Sequence, residues 1–302
     1  MKLTGLHFLL TYTCNFECDH CFVWGSPWQS GVMTIADIRD ALQQAKETGT
    51  IESIYFEGGE PFLYYATLLK AVQLASQMGF EVGIVSNGYW ATSQEDALAA
   101  LQPFSGCLNS LSVSTDLYHY DDFISEQAKF SEEVAKTLKV PLDMIVISPL
   151  QSSCDTCLNE PKGMLPPGES SVMFRGRAAV NLIDKTGRQP WEKFYECPGE
   201  DLIEPGRVHL DPFGYLHICQ GIIIGNIHTK KLKDICQTYD PEAHPIVKAL
   251  LEGGPAALVR RFDLPHAEGY ADACHLCYCS RLKLRERFPE LLGPDQMYGV
   301  NL

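Results

Sequence analysis

The sequence predicts an α/β protein, because short apolar segments alternate with amphipathic segments through its first half. LHFLLTY (6–12) has the composition of a buried strand, and residues 34–49 have helical periodicity with Thr34 as the N-cap. Four more strand candidates follow, each separated from the next by a helix candidate: ESIYFEG, FEVGIVSNG, CLNSLSVSTD and PLDMIVISP. Repeated βα units build a parallel sheet, and the chemistry of such a sheet collects at the carboxyl ends of its strands.

Composition and charge narrow the class of protein. The chain has 302 residues, of which 45% are hydrophobic and 21% charged, and its formal net charge is -14. It has no run of lysine and arginine suited to nucleic acid, and no apolar stretch reaches the roughly 18 residues of a membrane helix. We therefore expect a cytoplasmic protein. In that reducing compartment, twelve cysteines in short-spaced groups indicate metal sites rather than disulfides.

Three cysteines follow the first predicted strand in the segment CNFECDHC. Cys14, Cys18 and Cys21 place three thiolates on one short loop. This arrangement suits a four-iron cluster whose fourth iron stays open to a ligand. A zinc site with His20 as the fourth ligand is the structural alternative.

Polar motifs also follow the next three predicted strands, as EGGEP, SNGY and STDLYH. In EGGEP, adjacent glycines allow the backbone to approach a ligand, and Glu60 or a backbone acceptor could pair with an ammonium group. Taken singly, each polar residue is explained equally well by ordinary turn and cap chemistry. Because all four loops should meet at one face of the sheet, we expect one shared site. The candidates are Gly58, Gly59, Glu60, Pro61, Ser86, Asn87, Ser112, Ser114 and Asp116.

Together, the CxxxCxxC loop and the GGEP motif resemble the radical S-adenosylmethionine (SAM) superfamily. The resemblance implies a partial (β/α)6, TIM-like barrel in which Cys14, Cys18 and Cys21 hold a [4Fe-4S] cluster that binds SAM. It also implies that GGEP contacts the methionyl amino group, and that the ends of strands three and four hold the ribose and carboxylate. Arg175 and Arg177 are further candidates for the SAM carboxylate, although one of them could be only a surface charge.

The chain changes character near residue 188, where hairpin-like segments and a cysteine-rich end begin. This part is similar to the SPASM or twitch extension of radical SAM enzymes, which binds auxiliary clusters. We expect a core barrel over residues 1–188, and a small β-hairpin and helix domain over 189–302 with one auxiliary [4Fe-4S] cluster. A structural zinc ion is the alternative. The expected ligands are Cys197, Cys219, Cys274 and Cys277, with Cys279 as a substitute or a nearby functional thiol.

Several residues are assigned less directly. Asp116, His119 and Cys279 are the catalytic candidates, of which His119 follows a strand end on the expected active face. Cys154 and Cys157 lie in a loop rich in proline, serine and glycine and have no assignment.

The resemblance implies an enzyme that reductively cleaves SAM to a 5′-deoxyadenosyl radical and abstracts a substrate hydrogen. It also implies an external one-electron reductant of the flavodoxin or ferredoxin type. Crosslinking or oxidation of a peptide or protein side chain is slightly favoured over oxidation of a small molecule. Because the sequence begins at its first predicted strand, we expect no amino-terminal peptide-recognition domain, which weakens the peptide interpretation without removing it, since a separate partner could deliver the leader. An iron-sulfur electron carrier or zinc protein is the non-catalytic alternative.

Overall fold

Six parallel strands form the core of the protein in sequence order, as expected for a (β/α)6 barrel. The structure is a computed structural model, and it describes residues 1–150 and 169–300. The strands are β1 Gly5–Thr11, β2 Ser53–Gly58, β3 Glu81–Ser86, β4 Ser110–Ser114, β5 Leu142–Ile147 and β6 Glu169–Ser170.

Four helices connect the first five strands: α1 Ile35–Thr48, α2 Tyr65–Gln77, α3 Gln94–Leu101 and α4 Glu126–Leu138. The start and end predicted for α1 are confirmed. Thr34 and Asp37 form a reciprocal capping box, which satisfies two backbone donors at the helix start. Gly49 ends the helix in the left-handed conformation at φ 73°. The α/β class and the parallel sheet are therefore as predicted.

The remaining part of the chain adds shorter strands and four helices. The strands are β7 Gln189–Pro190, β8 Arg207–Leu210, β9 Tyr215–Cys219, β10 Ile222–Asn226 and β11 Gly269–Tyr270. The helices are α5 Ala178–Asn181, α6 Leu232–Thr238, α7 Pro245–Phe262 and α8 Ala273–Leu284. No helix among the described residues is long and apolar enough to cross a membrane.

The predicted hairpin continues the barrel sheet. Strand β8 pairs with β1 in parallel, with Leu6 opposite Val208, and β9 and β10 follow in antiparallel pairing. The full order is β10-β9-β8-β1-β2-β3-β4-β5-β6. This pairing covers the edge of β1 that would otherwise expose unpaired backbone groups. A division into domains near residue 188 stays a prediction, and the sheet itself runs across it.

Buried Asp211 fixes the hairpin turn to the end of β1. Its carboxylate accepts hydrogen bonds from the Tyr12 hydroxyl at 2.9 Å and from the backbone N–H groups of Phe213 and Tyr215. His217 Nε2 lies 3.2 Å from the same carboxylate. Since a buried carboxylate is tolerated only when its oxygens are satisfied, this residue fixes the position of β9 relative to the barrel.

Helix α7 is interrupted where it passes the loop that carries Cys197. Gly254 has a φ of +59°, and a Cβ there would lie 2.3 Å from the backbone nitrogen of Glu196. Ala256 donates its backbone N–H to the Phe194 carbonyl. Because glycine permits this close approach, the loop is held against α7 just before Cys197.

Candidate active site and second cysteine site

The cysteine loop and the three following strand ends line one cavity of about 370 Å³. The structure thereby brings most of the residues predicted for the first site together. Those that line the cavity are Cys14, Cys18, Cys21, Gly58, Gly59, Ser86, Asn87, Ser112, Ser114 and His119.

Nitrogen donors point at the sulfur atoms of the cysteine loop. The backbone N–H of Phe16 donates to Cys14 Sγ at 3.4 Å, and that of Gly25 donates to Cys21 Sγ at 3.2 Å. The Asn87 side chain donates to Cys14 Sγ at 3.7 Å. Such donors stabilise negative charge on sulfur and tune iron-sulfur clusters. The donor set of this loop therefore fits a thiolate-bound cluster.

Burial of the same thiols disfavours their negatively charged form. It raises the pKa of Cys14 to about 12 and also raises the pKa of Cys18 well above its usual range. Without a cation, thiols in this environment stay protonated, and a coordinated metal reverses that preference. The loop is thus suited to bind metal as thiolate rather than to present free nucleophiles.

The glycines of GGEP pack directly on the cysteine loop. A Cβ on Gly59 would lie 2.2 Å from the carbonyl oxygen of Thr13. A Cβ on Gly25 would lie 3.2 Å from Cys14 Cβ and 3.3 Å from Gly59 Cα. Only residues without side chains allow the two loops to approach this closely.

The Glu60 carboxylate is turned away from the cavity and braces the barrel. Its Oε1 accepts hydrogen bonds from the Phe62 backbone and the Ser86 hydroxyl, and its Oε2 accepts one from the Asn87 backbone at 2.7 Å. Burial raises the pKa of Glu60 to about 7. Of the two acceptors considered for an ammonium group, the structure favours the backbone. Pro61 begins the 3-10 turn after Glu60 and is also outside the residues that line the cavity.

Asp116 holds His119 at the edge of the cavity. Its Oδ1 lies 2.9 Å from His119 Nδ1 and also accepts from the backbone of Tyr118. Its Oδ2 accepts from the backbone of Ile147. The imidazole is therefore oriented through Nδ1, which leaves Nε2 as the nitrogen not engaged by Asp116.

His20 lies among aromatic rings, close to His119. Its ring centroid is 4.8 Å from that of Tyr118 and 5.1 Å from that of His119. Burial lowers the pKa of His20 to about 4. Its ligand atom lies within 4.8 Å of those of Asp116 and His119, in a group that contains no cysteine. The geometry therefore does not favour His20 as a zinc ligand together with the cysteine loop.

Arg177 holds the cysteine loop, contrary to the role expected for it. Its guanidinium donates to the carbonyl oxygens of Cys18 and Gly25, both at 2.8 Å, and stacks over Trp24. It is not among the described residues that line the cavity. Because its donors are used by the loop carbonyls, Arg177 is not available to a SAM carboxylate in this arrangement.

Arg175 lies at the second cysteine site, which also departs from the expectation. Its Nη1 is 3.5 Å from Cys219 Sγ and 3.6 Å from a carboxylate oxygen of Glu200. Its guanidinium also stacks over Phe22, the residue that follows the cysteine loop. The sequence alone could not show which of the two sites this arginine would reach.

The four cysteines predicted for an auxiliary cluster line one cavity with two arginines, Arg175 and Arg281. Cys197 comes from a loop, Cys219 from the end of β9, and Cys274 and Cys277 from the first two turns of α8. The last two are three residues apart and share one helix face. The apolar wall of this cavity consists of Leu202, Ile222, Leu250, Pro255 and Ala273.

Burial and nearby positive charge have opposite effects on the pKa of these thiols. Burial raises the pKa of Cys277 to about 12 and raises the pKa of Cys197 and Cys274. The nearby Arg281 guanidinium, itself 2% exposed, acts to lower the pKa of Cys277. Arg281 is anchored by a hydrogen bond to the Gln220 carbonyl. Arg281 lies one helical turn after Cys277 in the sequence, and this spacing could have identified it as a residue of the second cysteine site.

Cys279 lies outside this cavity, which argues against it as a substitute ligand or as a thiol at the site. It packs in an apolar cluster that includes Tyr270, Leu276 and Trp191. On a helix, a residue two positions after Cys277 points to the opposite side. Neither described cavity around the cysteine sites has Cys279 in its lining.

Three residues of the barrel interior were missed by the sequence analysis. His7 and Glu57 line the cavity, and His209 lies 2.9 Å from the Glu57 carboxylate. The available signal was a histidine inside the apolar strand LHFLLTY and a glutamate directly before GGEP, since alternate strand residues face the barrel interior. All ten cysteines within the described ranges are free thiols. Cys154 and Cys157 lie outside the described residues.

Comparisons with known proteins place the first half of the chain beside one superfamily. Residues 8–139 match the Radical SAM superfamily. A relative from Bacillus subtilis strain 168, named "Putative peptide biosynthesis protein YydG", is 30% identical over 118 residues, or 39% of this chain and 36% of that protein. A Fibrobacter relative named as an S-adenosylmethionine-dependent nucleotide dehydratase is 24% identical over 128 residues, or 40% of this chain and 36% of that protein. The chain thus spans about a third of the length of these relatives.

A solved structure is similar over most of the chain. The crystal structure of BtrN in complex with AdoMet (SAM) and 2-DOIA has a TM-score of 0.55 and 14% sequence identity, and the match covers 92% of both chains. At this identity the similarity shows the fold.

The matched span, residues 8–139, contains the cysteine loop, GGEP and the next two strand ends, and this span is similar to the Radical SAM superfamily of enzymes. The cofactors of this family are a [4Fe-4S] cluster and SAM. We propose that Cys14, Cys18 and Cys21 would hold the cluster and that SAM would bind beside the backbone of Gly58 and Gly59.

The role of the Glu60 carboxylate can be tested with Glu60→Gln. A glutamine amide cannot accept at both ends, so one buried donor loses its partner, which costs about 2 kcal/mol. We expect the free energy of unfolding of the apoprotein to fall by that amount in urea titrations, and the iron content after reconstitution to fall with it. Glu81→Gln, at an exposed residue of β3, should change neither quantity. Equal stability of Glu60→Gln and the native protein would contradict the bracing role.

Proposed function

We propose that this enzyme modifies a side chain of a peptide by SAM-dependent radical chemistry, with an auxiliary iron-sulfur cluster at the second cysteine site. The observation that carries the peptide assignment is the similarity of the radical SAM span to the peptide biosynthesis relative from Bacillus subtilis. When bound, the first cluster and SAM supply a 5′-deoxyadenosyl radical that abstracts a hydrogen atom. The surrounding residues position the reactants and exclude water.

The surface beside the cavity supports a peptide substrate. The connection after β4 carries Asp116 and His119, and the same connection exposes Leu117 and Ile124 to solvent at 50% and 42%. Exposed apolar side chains beside a cavity are typical of surfaces that receive a partner. A peptide that places one residue in the cavity could pack its neighbouring residues against this connection.

His119 and Asp116 are proposed to manage a proton at the cavity. Asp116 orients the imidazole through Nδ1, so Nε2 is the ring nitrogen available to accept a proton from a substrate group. Burial acts to raise the pKa of Asp116, but its hydrogen bond with His119 and the one from the Tyr118 backbone hold that pKa below its usual value. The Ile147 backbone also donates to this carboxylate and fixes its position. Ser112 and Ser114 line the same cavity and can donate hydrogen bonds to hydroxyl or carboxylate oxygens of the bound molecules.

An auxiliary cluster is supported by the chemistry of the second cysteine site. Four thiols, of which that of Cys277 is buried and the others are partly buried, surround one cavity together with two arginines and an apolar wall. Sulfur atoms on one tetrahedral zinc ion lie about 3.8 Å apart, since each Zn–S bond is about 2.3 Å. In the described parts of the chain, no group of three ligand atoms within 4.8 Å of one another includes a cysteine. The sulfur atoms of this site are therefore more widely spaced than those on one zinc ion, which favours a cluster over a single zinc ion.

Oxidation of a small molecule is the second candidate, because the fold also resembles BtrN in complex with AdoMet and 2-DOIA. The two candidates differ in the size and chemistry of the substrate. A peptide is destroyed by proteases, whereas a small non-peptide metabolite is not.

The substrate class can be tested with the reconstituted enzyme and an extract of the organism that encodes it. The extract is divided by size, and each fraction is assayed for stimulation of 5′-deoxyadenosine formation before and after protease treatment. We expect stimulation by a fraction that loses this effect on proteolysis. Stimulation that resists protease and resides in the smallest molecules would contradict the peptide assignment and favour a small-molecule substrate.

His119→Gln should retain its clusters while product formation falls by about 100-fold or more.

The auxiliary cluster can be tested by counting iron. Anaerobic reconstitution of the native chain should yield about eight irons, and Cys274→Ala combined with Cys277→Ala should yield about four. The double variant Cys107→Ala with Cys236→Ala, which removes two thiols away from both sites, should keep about eight. A native chain that holds only about four irons would remove the auxiliary cluster from this proposal.

A further inference from the structure

Three side chains from adjacent strands converge in the interior of the barrel. His7 on β1, Glu57 on β2 and His209 on β8 have ligand atoms that all lie within 4.8 Å of one another. His7 Nδ1 is 3.4 Å from Glu57 Oε1, and His209 Nε2 is 2.9 Å from the same oxygen. The parallel pairing of β8 with β1, which places His7 opposite His209, creates this group.

These distances match those between ligands of one metal ion. Two ligand atoms each about 2.1 Å from a metal are about 3.0 Å apart at a right angle and about 3.4 Å apart at the tetrahedral angle. Two histidines and one carboxylate are a common ligand set for zinc and for other divalent transition metals. The geometry needs little adjustment to bind such an ion.

Two of the three ligand atoms are also without a well-directed hydrogen bond. Within residues 1–150 and 169–300, His7 Nδ1 and Glu57 Oε1 are buried side-chain atoms that have no hydrogen-bond partner. His209 and His7 lie close enough to this oxygen, at 2.9 Å and 3.4 Å, to hold the pKa of Glu57 below its usual range against the effect of burial, but not in the direction of a hydrogen bond. Buried polar atoms rarely stay unsatisfied. This group therefore indicates a partner from outside the protein.

The group His20, Asp116 and His119 provides an internal comparison. It meets the same distance criterion, but Asp116 accepts hydrogen bonds from His119 and from the backbone of Tyr118 and Ile147. Its carboxylate is therefore satisfied without an ion. In that group the unsatisfied atom is His20 Nδ1, whereas in the described part of the chain the group around Glu57 leaves both a carboxylate oxygen and a histidine nitrogen unsatisfied.

We propose that His7, Glu57 and His209 bind one divalent transition-metal ion of the zinc class in the wall of the active-site cavity. His7 and Glu57 line that cavity, so an ion can enter from it. The His7 ring is held by stacking on Tyr55, with centroids 4.8 Å apart and planes 17° apart. The coordination positions not filled by the protein face the cavity and can take water or an oxygen or nitrogen donor of the substrate. This site is independent of the proposed peptide substrate.

Zinc uptake by the reconstituted holoenzyme tests the site, because its cysteines are then occupied by iron-sulfur clusters. The native protein and variants are dialysed against Zn²⁺, desalted and analysed for zinc and iron. We expect the native protein and His228→Gln, which changes an exposed histidine of the same region, to retain about one zinc more per chain than Glu57→Gln and His209→Gln. If a buried substitution prevents cluster reconstitution, His7→Gln at the cavity wall serves in its place.

X-ray absorption at the zinc edge separates this site from the cysteines. The proposal predicts nitrogen and oxygen neighbours at about 2.0–2.1 Å, whereas zinc on thiolates would show sulfur at about 2.3 Å. Equal zinc content in the native protein and the Glu57→Gln and His209→Gln variants would overturn the proposal. So would a bound zinc whose neighbours are sulfur.

Discussion

The buried carboxylate of Glu60 connects the parts of the first site. It joins the end of β2 to the end of β3 by accepting hydrogen bonds from Ser86 and from the Asn87 backbone. The side chain of Asn87, fixed in this way, donates to Cys14 Sγ and to the Asn15 side chain. A buried donor that loses its partner costs about 1–3 kcal/mol, so the position of the cysteine loop depends on this carboxylate. GGEP thus acts through its glycine backbone on one side and its glutamate on the other.

One short segment couples the two cysteine sites. Arg175 contacts Cys219 and stacks on Phe22, and two residues later Arg177 donates its backbone N–H to the Cys21 carbonyl. Between them, Gly176 has a φ of +59°, and a Cβ there would lie 2.5 Å from the Cys21 carbonyl oxygen. The segment therefore has little freedom to move at either end. These contacts fix the distance between the two cysteine sites.

Local pattern was sufficient to predict the features that arise from neighbouring residues. The capping box at Thr34, the strand order of the barrel and the meeting of four loops all follow from periodicity and from the geometry of parallel strands. The grouping of Cys274 with Cys277 follows from helix spacing in the same way. The same spacing, applied to Cys279, would have placed it on the opposite side of α8.

Features that depend on contacts between distant residues could not be predicted in this way. The pairing of β8 with β1 joins segments about two hundred residues apart and creates the group around Glu57. The position of Arg175 depends on where Cys219 lies after the hairpin joins the sheet. A spacing pattern also could not show that Glu60 faces away from the cavity, because that direction is set by donors on the next strand.

The most direct test of the account is the formation of 5′-deoxyadenosine from SAM by the reconstituted, chemically reduced protein. The account predicts that the native chain and Cys107→Ala form this product, and that Cys18→Ala, which removes one thiol of the first loop, does not. Absence of the product from the fully reconstituted native chain, or its undiminished formation by Cys18→Ala, would contradict the assignment of Cys14, Cys18 and Cys21 as the SAM-binding cluster site.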